Sequence, residues 1–334
     1  GHTLSQAEIN ELLAVRAKAG KIVARLKGGD PFIFGRGGEE AEYLAARGVP
    51  FEVVPGVTAA AAVPAYAGIP LTHRTYTSSL AVVTGNEDPL KDDTSIAWDK
   101  LSTGAGTLVF LMGVANLPGI VARLLANGRD RETPAAVIQW GTLPLQVTVT
   151  GTLADIGAKV ARAGITNPAV FVVGDVVRLR EKLNWFEAKP LFGKKVLITR
   201  TREQAGELAK AITALGGEPW EFPVIQVLPP ADWTPVDVAI ERLGAYDWII
   251  FTSVNGVRFF LERLKEHDKD VRALGRACIG AIGPKTQAAL ERYGLRVDAV
   301  PELYRAEEVA AALRERMAPG AKVLLPRADI ARKL

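Results

Sequence analysis

The stretch from Arg25 to Glu40, RLKGGDPFIFGRGGEE, decides the fold of this chain. It is rich in glycine and lies between a short apolar segment and the acidic start of a predicted helix. Glycine lets the backbone turn with positive φ and pass close to a ligand. Asp30, beside Gly28 and Gly29, places a carboxylate where backbone N–H groups are also free. Such a loop suits a ligand with polar and positively charged groups, and the alternative is a tight strand–helix turn without a ligand.

A dinucleotide-binding loop is the first rival interpretation of these glycines. That fingerprint is G-x-G-x-x-G after a strand, with an acid about 20 residues later. Here the run from Gly35 to Glu40, GRGGEE, lacks the third glycine. The phosphate loop that ends in Gly-Lys-Ser/Thr is also absent from the sequence. The pattern therefore argues against a nucleotide-phosphate site.

A second candidate site is the run PGVTAAAA from Pro55 to Ala62. Gly56 permits an unusual backbone, Thr58 offers a hydroxyl, and the alanines let a flat ring approach the main chain. The alternative is a helix N-terminus, since Thr58 is a good N-cap and alanine is a strong helix former. The two interpretations are compatible.

Helices and strands alternate along the chain, which indicates an α/β fold. Ser5 and Glu8 have the spacing of a capping box at the start of the first helix. Among the later elements, we predict a polar, acidic loop at Asn86–Asp99 and a helix at Ala306–Met317. Strands are expected at Lys21–Leu26, Phe51–Val54, Leu80–Thr84, Thr107–Met112, Ala135–Gln139, Gln146–Thr150, Ala169–Val173, Lys195–Thr199, Glu221–Val227, Trp248–Thr252, Arg276–Ile282, Arg296–Val300 and Lys322–Pro326.

The segment WFEAKPLFGKK, Trp185 to Lys195, breaks this alternation. Pro190 and Gly193 interrupt it and basic residues flank them, which is typical of a linker. We therefore predict two domains, residues 1–188 and 189–334, with the boundary near residue 189.

Composition excludes several classes of protein. The chain has 334 residues, 48% hydrophobic and 23% charged, and a formal net charge of +4, with no clustered basic stripe for nucleic acid. Its single cysteine, Cys278, excludes an internal disulfide and fits a reducing cytoplasm. The three histidines (His2, His73, His267) do not have metal-ligand spacing. No apolar run is long enough for a membrane span, and no signal-peptide pattern is present, so we expect no membrane partner.

The loop at Arg25–Glu40 resembles the S-adenosylmethionine-binding loop of the uroporphyrinogen-III C-methyltransferase family. The similarity extends from Gly1 to about Phe186 and includes VVGDVVRLREKLNWF at its end. It implies the tetrapyrrole-methylase fold, in which two α/β subdomains hold S-adenosyl-L-methionine in the cleft between them, and a homodimer. The cofactor-binding residues that the resemblance implies are Gly28, Gly29, Asp30, Ile33, Thr58, Ala59, Met112 and Gly141.

The resemblance changes the interpretation of two residues. A Met at the end of a strand, such as Met112, is by itself typical of core filling, but the family places a Met against the adenine. His73, in the family's PLTHR string, supports the resemblance and is not expected to be catalytic.

The reaction that the resemblance implies moves two methyl groups from S-adenosylmethionine to carbons 2 and 7 of uroporphyrinogen III, giving precorrin-2 toward sirohaem and cobalamin. The protein mainly aligns the pyrrole carbon, and a base accepts the displaced ring proton. The family's first strand, its GAGPGDP loop and its acid–base residues would precede Gly1. The catalytic residues therefore stay unassigned, and we expect this chain alone to be inactive. Two rivals remain, a methyltransferase of the corrin branch and a protein that only binds cofactor or tetrapyrrole.

The second half of the chain resembles uroporphyrinogen-III synthase, which closes hydroxymethylbilane to the ring that the first domain would methylate. We expect a partial α/β synthase domain, because the family's later half would follow Leu334. Ser253, Asn255 and Thr286 are predicted at strand–helix junctions, where hydroxyls and free N–H groups can bind carboxylates; simple N-capping is the alternative for Ser253 and Thr286. The strings that carry this resemblance are KVLITRTR (195–202), FTSVNGVRFF (251–260), IGPKTQAAL (282–290), PELYRAEEV (301–309) and LLPRADIARKL (324–334).

Overall fold

The structure is a computed structural model that describes residues 4–86, 94–301 and 316–327. The chain divides into two compact units, Gly1–Val224 and Ile225–Leu334. The predicted domain boundary near residue 189 stays a prediction. Part of the predicted acidic loop, the predicted helix at 306–317 up to residue 315, and parts of the strings at 301–309 and 324–334 lie outside the described residues.

A five-stranded sheet forms the centre of the first unit. Its order is β1-β2-β5-β3-β4, with β1 and β2 parallel and every other neighbouring pair antiparallel. The three central strands are almost entirely buried and apolar, as expected for strands covered on both faces. The strands are β1 (Leu80–Thr84), β2 (Thr107–Leu111), β3 (Pro134–Gln139), β4 (Val147–Thr152) and β5 (Ala169–Val173).

Helices cover both faces of this sheet. Along β2 the side chains alternate, so that Val109 and Leu111 belong to one buried cluster and Leu108 and Phe110 to the other. Helix α3 (Ala59–Tyr66) contributes to the first cluster. The second cluster receives buried residues from α5 and α6, with α4 packed beside it; these helices are α4 (Trp98–Gly104), α5 (Leu117–Ala126) and α6 (Ile156–Arg162).

Two further helices come before α3 in the chain, α1 (Gln6–Lys18) and α2 (Gly37–Ala45). The predicted capping box at Ser5 is present and begins α1. The predicted strands at 21–26 and 51–54 are wrong, because neither segment pairs with a strand among the described residues. Their side chains are largely exposed, including Ile22 and Val54. The apolar, β-branched residues of these segments are typical of strands. A strand also needs a neighbouring strand to hydrogen-bond its backbone N–H and C=O groups.

The predicted linker is a packed segment. After α7 (Arg180–Leu183), Trp185 and Phe186 contact the Tyr66 ring, and the Gly193 N–H donates to Pro144 O at 3.1 Å. Next come β6 (Lys195–Ile198), α8 (Arg202–Ala214) and β7 (Glu218–Glu221), in which the two strands pair in parallel and α8 contributes to their buried cluster. The strand predicted at 221–227 therefore begins and ends earlier than expected.

The second unit contains a three-stranded parallel sheet in the order β10-β8-β9. Phe251, Phe260 and Leu290 lie in its main core. The predicted strand at 296–300 is reduced to one bridge between Ala299 and Gly280. The elements are α9 (Thr234–Glu241), β8 (Trp248–Phe251), α10 (Val254–Glu266), β9 (Cys278–Ala281), α11 (Pro284–Glu291) and β10 (Val323–Leu324).

Among the described residues, no helix is both long and apolar enough to cross a bilayer. The same residues contain no group of three or more His, Cys, Asp or Glu side chains placed to hold a metal ion.

Candidate functional site

Asp30 joins the two glycine-containing loops that the sequence singled out. Its carboxylate accepts a hydrogen bond from the Phe32 N–H at 2.8 Å and another from the Gly56 N–H at 3.1 Å. These bonds, the first from Phe32 and the second from Gly56, hold the pKa of the Asp30 carboxyl below its usual value. Asp30 therefore keeps a negative charge where the two loops meet.

The close approach of these loops depends on two glycines. Gly29 has φ +105° and faces Val57 and Thr58, and a Cβ on Gly56 would lie 2.4 Å from Gly29 O. No side chain larger than hydrogen fits at Gly56 unless the backbone shifts. A Cβ on Gly28 would meet nothing within 4 Å, so this part of the loop faces open space.

Thr58 and Ala59 begin helix α3. The Thr58 hydroxyl accepts from the Ala60 N–H at 3.3 Å, so the predicted N-cap is confirmed. A hydroxyl that accepts in a cap still has its own proton to donate. The hydroxyl proton of Thr58 therefore remains available to donate to a ligand at the second candidate site.

Met112 and Gly141 lie just beyond the carboxyl ends of β2 and β3. These strands run in the same direction, because each is antiparallel to β5 between them, and Leu111 and Ile138 both face Val170. Leu111 and Ile138 share a buried cluster with Ala60 and Val63 of α3. A Cβ on Gly141 would lie 2.4 Å from Cγ1 of Val63. The Met112 and Gly141 segments therefore lie at one sheet edge, beside the helix that Thr58 begins.

Backbone strain is concentrated in the same segments. Among the described residues, six that are not glycine have positive φ, and five of the six lie in the loops at 28–38, 112 and 140–142: Phe34, Arg36, Met112, Trp140 and Thr142. Such conformations cost free energy and collect at ligand sites. Ile33 lies in the first of these loops, where it is exposed. Sequence reasoning missed Trp140 and Thr142, because strain of this kind leaves no signal in the residue pattern.

Two cavities of about 500 and 490 Å³ lie elsewhere in the first unit. The first is lined by Ala65 and by residues 68–70 and 182–185. The lining of the second includes Thr84, Gly85, Ile96, Trp98 and Arg123. None of the eight predicted cofactor residues lines either cavity. His73 lies in a turn before β1, at the opposite edge from Met112, where its Nδ1 accepts from the Thr75 N–H.

The predicted synthase residues also gather at one sheet edge. Ser253 and Asn255 follow β8, and Thr286 follows β9, the parallel neighbour of β8. Ser253 is the N-cap of α10, where its hydroxyl accepts from the Gly256 N–H at 3.0 Å. Thr286 does not cap α11, since Gly283 occupies that position and Thr286 is buried in the first turn. The N-cap interpretation thus holds for Ser253 and is wrong for Thr286.

Comparison with known proteins yields matches along nearly the whole chain. The family model of the tetrapyrrole (corrin/porphyrin) methylases matches residues 1–157, and that of uroporphyrinogen-III synthase HemD matches residues 206–334.

Three relatives illustrate the similarity. A porphyrin biosynthesis protein HemD from Ruminiclostridium josui is 42% identical over 99% of this chain and 65% of its own length. A uroporphyrinogen-III C-methyltransferase from Bacillus subtilis (strain 168) is 40% identical over 90% of this chain and 61% of its own length. An S-adenosyl-L-methionine-dependent uroporphyrinogen III methyltransferase from Methanosarcina barkeri is 52% identical over 54% of this chain and 71% of its own length.

The chain spans less than two thirds of the length of the first two relatives. It covers more than two thirds of the third, at an identity that leaves no doubt of common descent. The glycine loop, the sheet edge beside α3 and these matches together show that the chain belongs to the tetrapyrrole methylase family, with a uroporphyrinogen-III synthase region after the methylase region.

Proposed function

We propose that the first unit binds S-adenosyl-L-methionine and that, within the whole protein, it serves the methylation of uroporphyrinogen III at carbons 2 and 7, giving precorrin-2 on the route to sirohaem and cobalamin. That this chain alone is inactive stays a prediction. The observation that carries the proposal is the joining of the 28–30 and 56–59 segments through Asp30. The names of the relatives from Bacillus subtilis and Methanosarcina barkeri support this choice of reaction.

The residues at this site suit a cofactor with a cationic amino acid end and a flat nucleoside end. Asp30 keeps a carboxylate beside backbone that Gly28 leaves open, which favours a positively charged group. Ile33 and Met112 expose apolar side chains that suit a flat ring. When bound, S-adenosylmethionine supplies an activated methyl group. The chain's own contribution is then to hold and orient the reactants and to exclude water.

The second region is proposed to close hydroxymethylbilane to uroporphyrinogen III, which makes this a multifunctional protein. The family match at 206–334 supports the proposal. Ser253, Asn255 and Thr286 are the candidate groups for the substrate's carboxylates, because they adjoin helix N-termini at the ends of parallel strands. The product of this reaction is the substrate of the first.

We also propose that the protein works in a reducing compartment such as the cytoplasm. Burial, with smaller contributions from Asp298 and Asp247, raises the pKa of the Cys278 thiol, so this cysteine is suited to packing rather than to redox chemistry. A homodimer is proposed from the family resemblance alone, and light scattering on the purified chain measures it directly.

Calorimetry with S-adenosylhomocysteine tests cofactor binding, and transfer of a labelled methyl group to uroporphyrinogen III tests the reaction. We expect Asp30→Ala to weaken S-adenosylhomocysteine binding by roughly tenfold or more, since it removes two charge-assisted hydrogen bonds. Asp130→Ala is the matched control, because Asp130 also accepts a backbone N–H two residues ahead, that of Glu132, but lies in the turn before β3.

Each outcome separates the alternatives. Binding without methyl transfer by the whole protein indicates a protein that only binds cofactor, and transfer to a corrin precursor instead of uroporphyrinogen III indicates the corrin-branch enzyme. Failure of the unmutated chain to bind S-adenosylhomocysteine contradicts the proposal.

A further inference from the structure

Trp140 differs from the other five tryptophans of the chain. Its side chain is 42% exposed, and no ring contact, cation contact or indole hydrogen bond involves it among the described residues. Each of the others is buried or has a partner: Trp98 stacks on Phe110, Trp185 contacts Tyr66, Trp220 lies under Lys195, Trp233 lies under Arg263, and Trp248 is buried. Because tryptophan is enriched at binding surfaces, an exposed indole without a partner is a candidate binding group.

The backbone holds this ring in a strained position. Trp140 has φ +50°, in the left-handed region that a bulky residue rarely adopts. Two hydrogen bonds fix the turn, since the Trp140 N–H donates to Pro168 O at 3.2 Å and the Leu143 N–H donates to Trp140 O at 3.2 Å. The left-handed backbone conformation of Trp140 therefore costs free energy, and the turn that imposes it places the indole at the end of β3.

Met112 presents a second exposed apolar side chain at the same edge. It has φ +57° and is 45% exposed. Met112 follows β2 and Trp140 follows β3, with β5 between them, so the two backbones lie roughly 10 Å apart at a strand spacing of about 4.8 Å. This separation leaves room for one flat ring between the methionine and the indole. Favourable contacts of such a ring with the indole span about 4.5–7 Å between centroids.

We propose that Trp140 is a cofactor-binding residue that stacks on the adenine ring, with Met112 on the opposite side. The inference rests on the proposed function, and it adds a residue that the sequence motifs did not single out. A pyrrole ring of the tetrapyrrole is the competing occupant. Adenine is favoured because Trp140 lies beside the candidate cofactor site. Its neighbour Gly141 packs on Val63 in α3, the helix that Thr58 begins.

Calorimetry on the full chain tests the stacking with three probes: S-adenosylhomocysteine, adenosine and uroporphyrin III. Trp140→Ala is expected to raise the Kd for S-adenosylhomocysteine and for adenosine by about 5- to 100-fold, the range of a stacked base. Trp140→Phe, which keeps a flat ring, is expected to stay within about threefold. The matched control is Trp220→Ala, which removes a comparably exposed indole (50%) from β7 and is expected to leave every Kd within about twofold.

Two further measurements protect the test. Trp140→Leu keeps apolar bulk without a ring and replaces the Ala variant if that variant fails to fold; it is also expected to weaken adenosine binding. In the unmutated chain, bound S-adenosylhomocysteine is expected to quench tryptophan emission, and Trp140→Phe is expected to abolish that quenching.

The inference is overturned if the Ala or Leu variant binds S-adenosylhomocysteine within twofold of the unmutated chain, or if only uroporphyrin III binding falls. Failure of the unmutated chain to bind either nucleoside overturns both this inference and the proposed function. A loss confined to the Trp140 variants supports both.

Discussion

At the scale of the residue, the sequence identifies groups whose chemistry is local. Asp30 stood out because, beside two glycines, it places a carboxylate where backbone N–H groups are also free, and Thr58 stood out as a hydroxyl and as a helix cap. In the structure, Asp30 accepts from the second loop and Thr58 caps α3. Trp140 did not stand out, because its positive φ is imposed by the turn after β3 and by Pro168, which are tertiary features.

Substitution of Gly56 tests the close approach of the two loops. In Gly56→Ala the new Cβ would lie 2.4 Å from Gly29 O, and a backbone atom cannot move aside as a flexible side chain can. We expect a loss of about 1–3 kcal/mol of unfolding free energy, as for other overpacked sites, together with weaker S-adenosylhomocysteine binding. Denaturant unfolding and calorimetry measure the two effects.

Gly38→Ala is the matched control for this substitution. A Cβ there meets nothing within 4 Å, and Gly38 lies in α2, so alanine is expected to stabilise by about 0.4–1 kcal/mol. Equal stability of the Gly56 and Gly38 variants would show that the two loops do not meet as described.

At the scale of the element, apolar runs bounded by turn residues gave β1 and β5 with correct ends and β2 to within one residue. The segments at 21–26 and 51–54 have similar composition but find no partner strand among the described residues. The strand predicted at 221–227 lies at 218–221, since its register follows its partner β6. Local pattern thus predicts a strand only where the fold supplies a neighbour.

The predicted linker illustrates the same limit, since its anchoring uses residues distant in sequence. Glu187 accepts from Arg180 at 2.5 Å, Thr148 at 2.7 Å and Gln146 at 2.8 Å. Burial raises the pKa of the Glu187 carboxyl, but the hydrogen bonds from Arg180, Gln146 and Thr148 outweigh it, and the pKa ends below its usual 4.5. The segment that contains Pro190 and Gly193 is therefore anchored through Glu187 to β4 and α7.

Glu187→Gln is expected to destabilise the first unit near neutral pH by about 2 kcal/mol, the scale of charge-assisted hydrogen bonds with a partner left unpaired. For a unit of this size that corresponds to a fall in Tm of roughly 4–8 °C. Because the folded pKa is lowered, this stability is fully present above pH 4.5 and is lost as the pH falls through the folded pKa.

The variant and the unmutated chain should therefore converge in Tm in acid. Glu181→Gln, on the exposed surface of α7, is the control and should leave Tm unchanged throughout. A constant gap between the Glu187 variant and the unmutated chain from pH 7 to pH 3 would exclude the ion pair as its cause.

At the scale of the whole molecule, the family was predictable because the loop at Arg25–Glu40 carries a specific resemblance that extends to about Phe186, and the matches confirm that prediction. The division into compact units was harder to predict from the sequence. The sequence places a boundary near residue 189 on the strength of Pro190 and Gly193, and this boundary stays a prediction. The compact units divide between Val224 and Ile225. Proline and glycine mark a break in local structure, but packing decides whether that break is also a break between cores.

Limited proteolysis with thermolysin compares the two segments directly, because this protease cleaves before apolar residues and each segment offers such sites. Val224 and Ile225 are exposed and lie outside any helix or strand, whereas Phe186 is buried and Leu191 packs with Ile198. Of the two segments, we expect 224–227 to be cut first, since cleavage requires local opening and the packed segment opens rarely. Mass spectrometry of the new termini locates the cut. Glu187→Ala should bring cleavage into 185–192 while Glu181→Gln does not. Earlier cleavage at 185–192 than at 224–227 in the unmutated chain would support the boundary near residue 189 and contradict the anchoring role of Glu187.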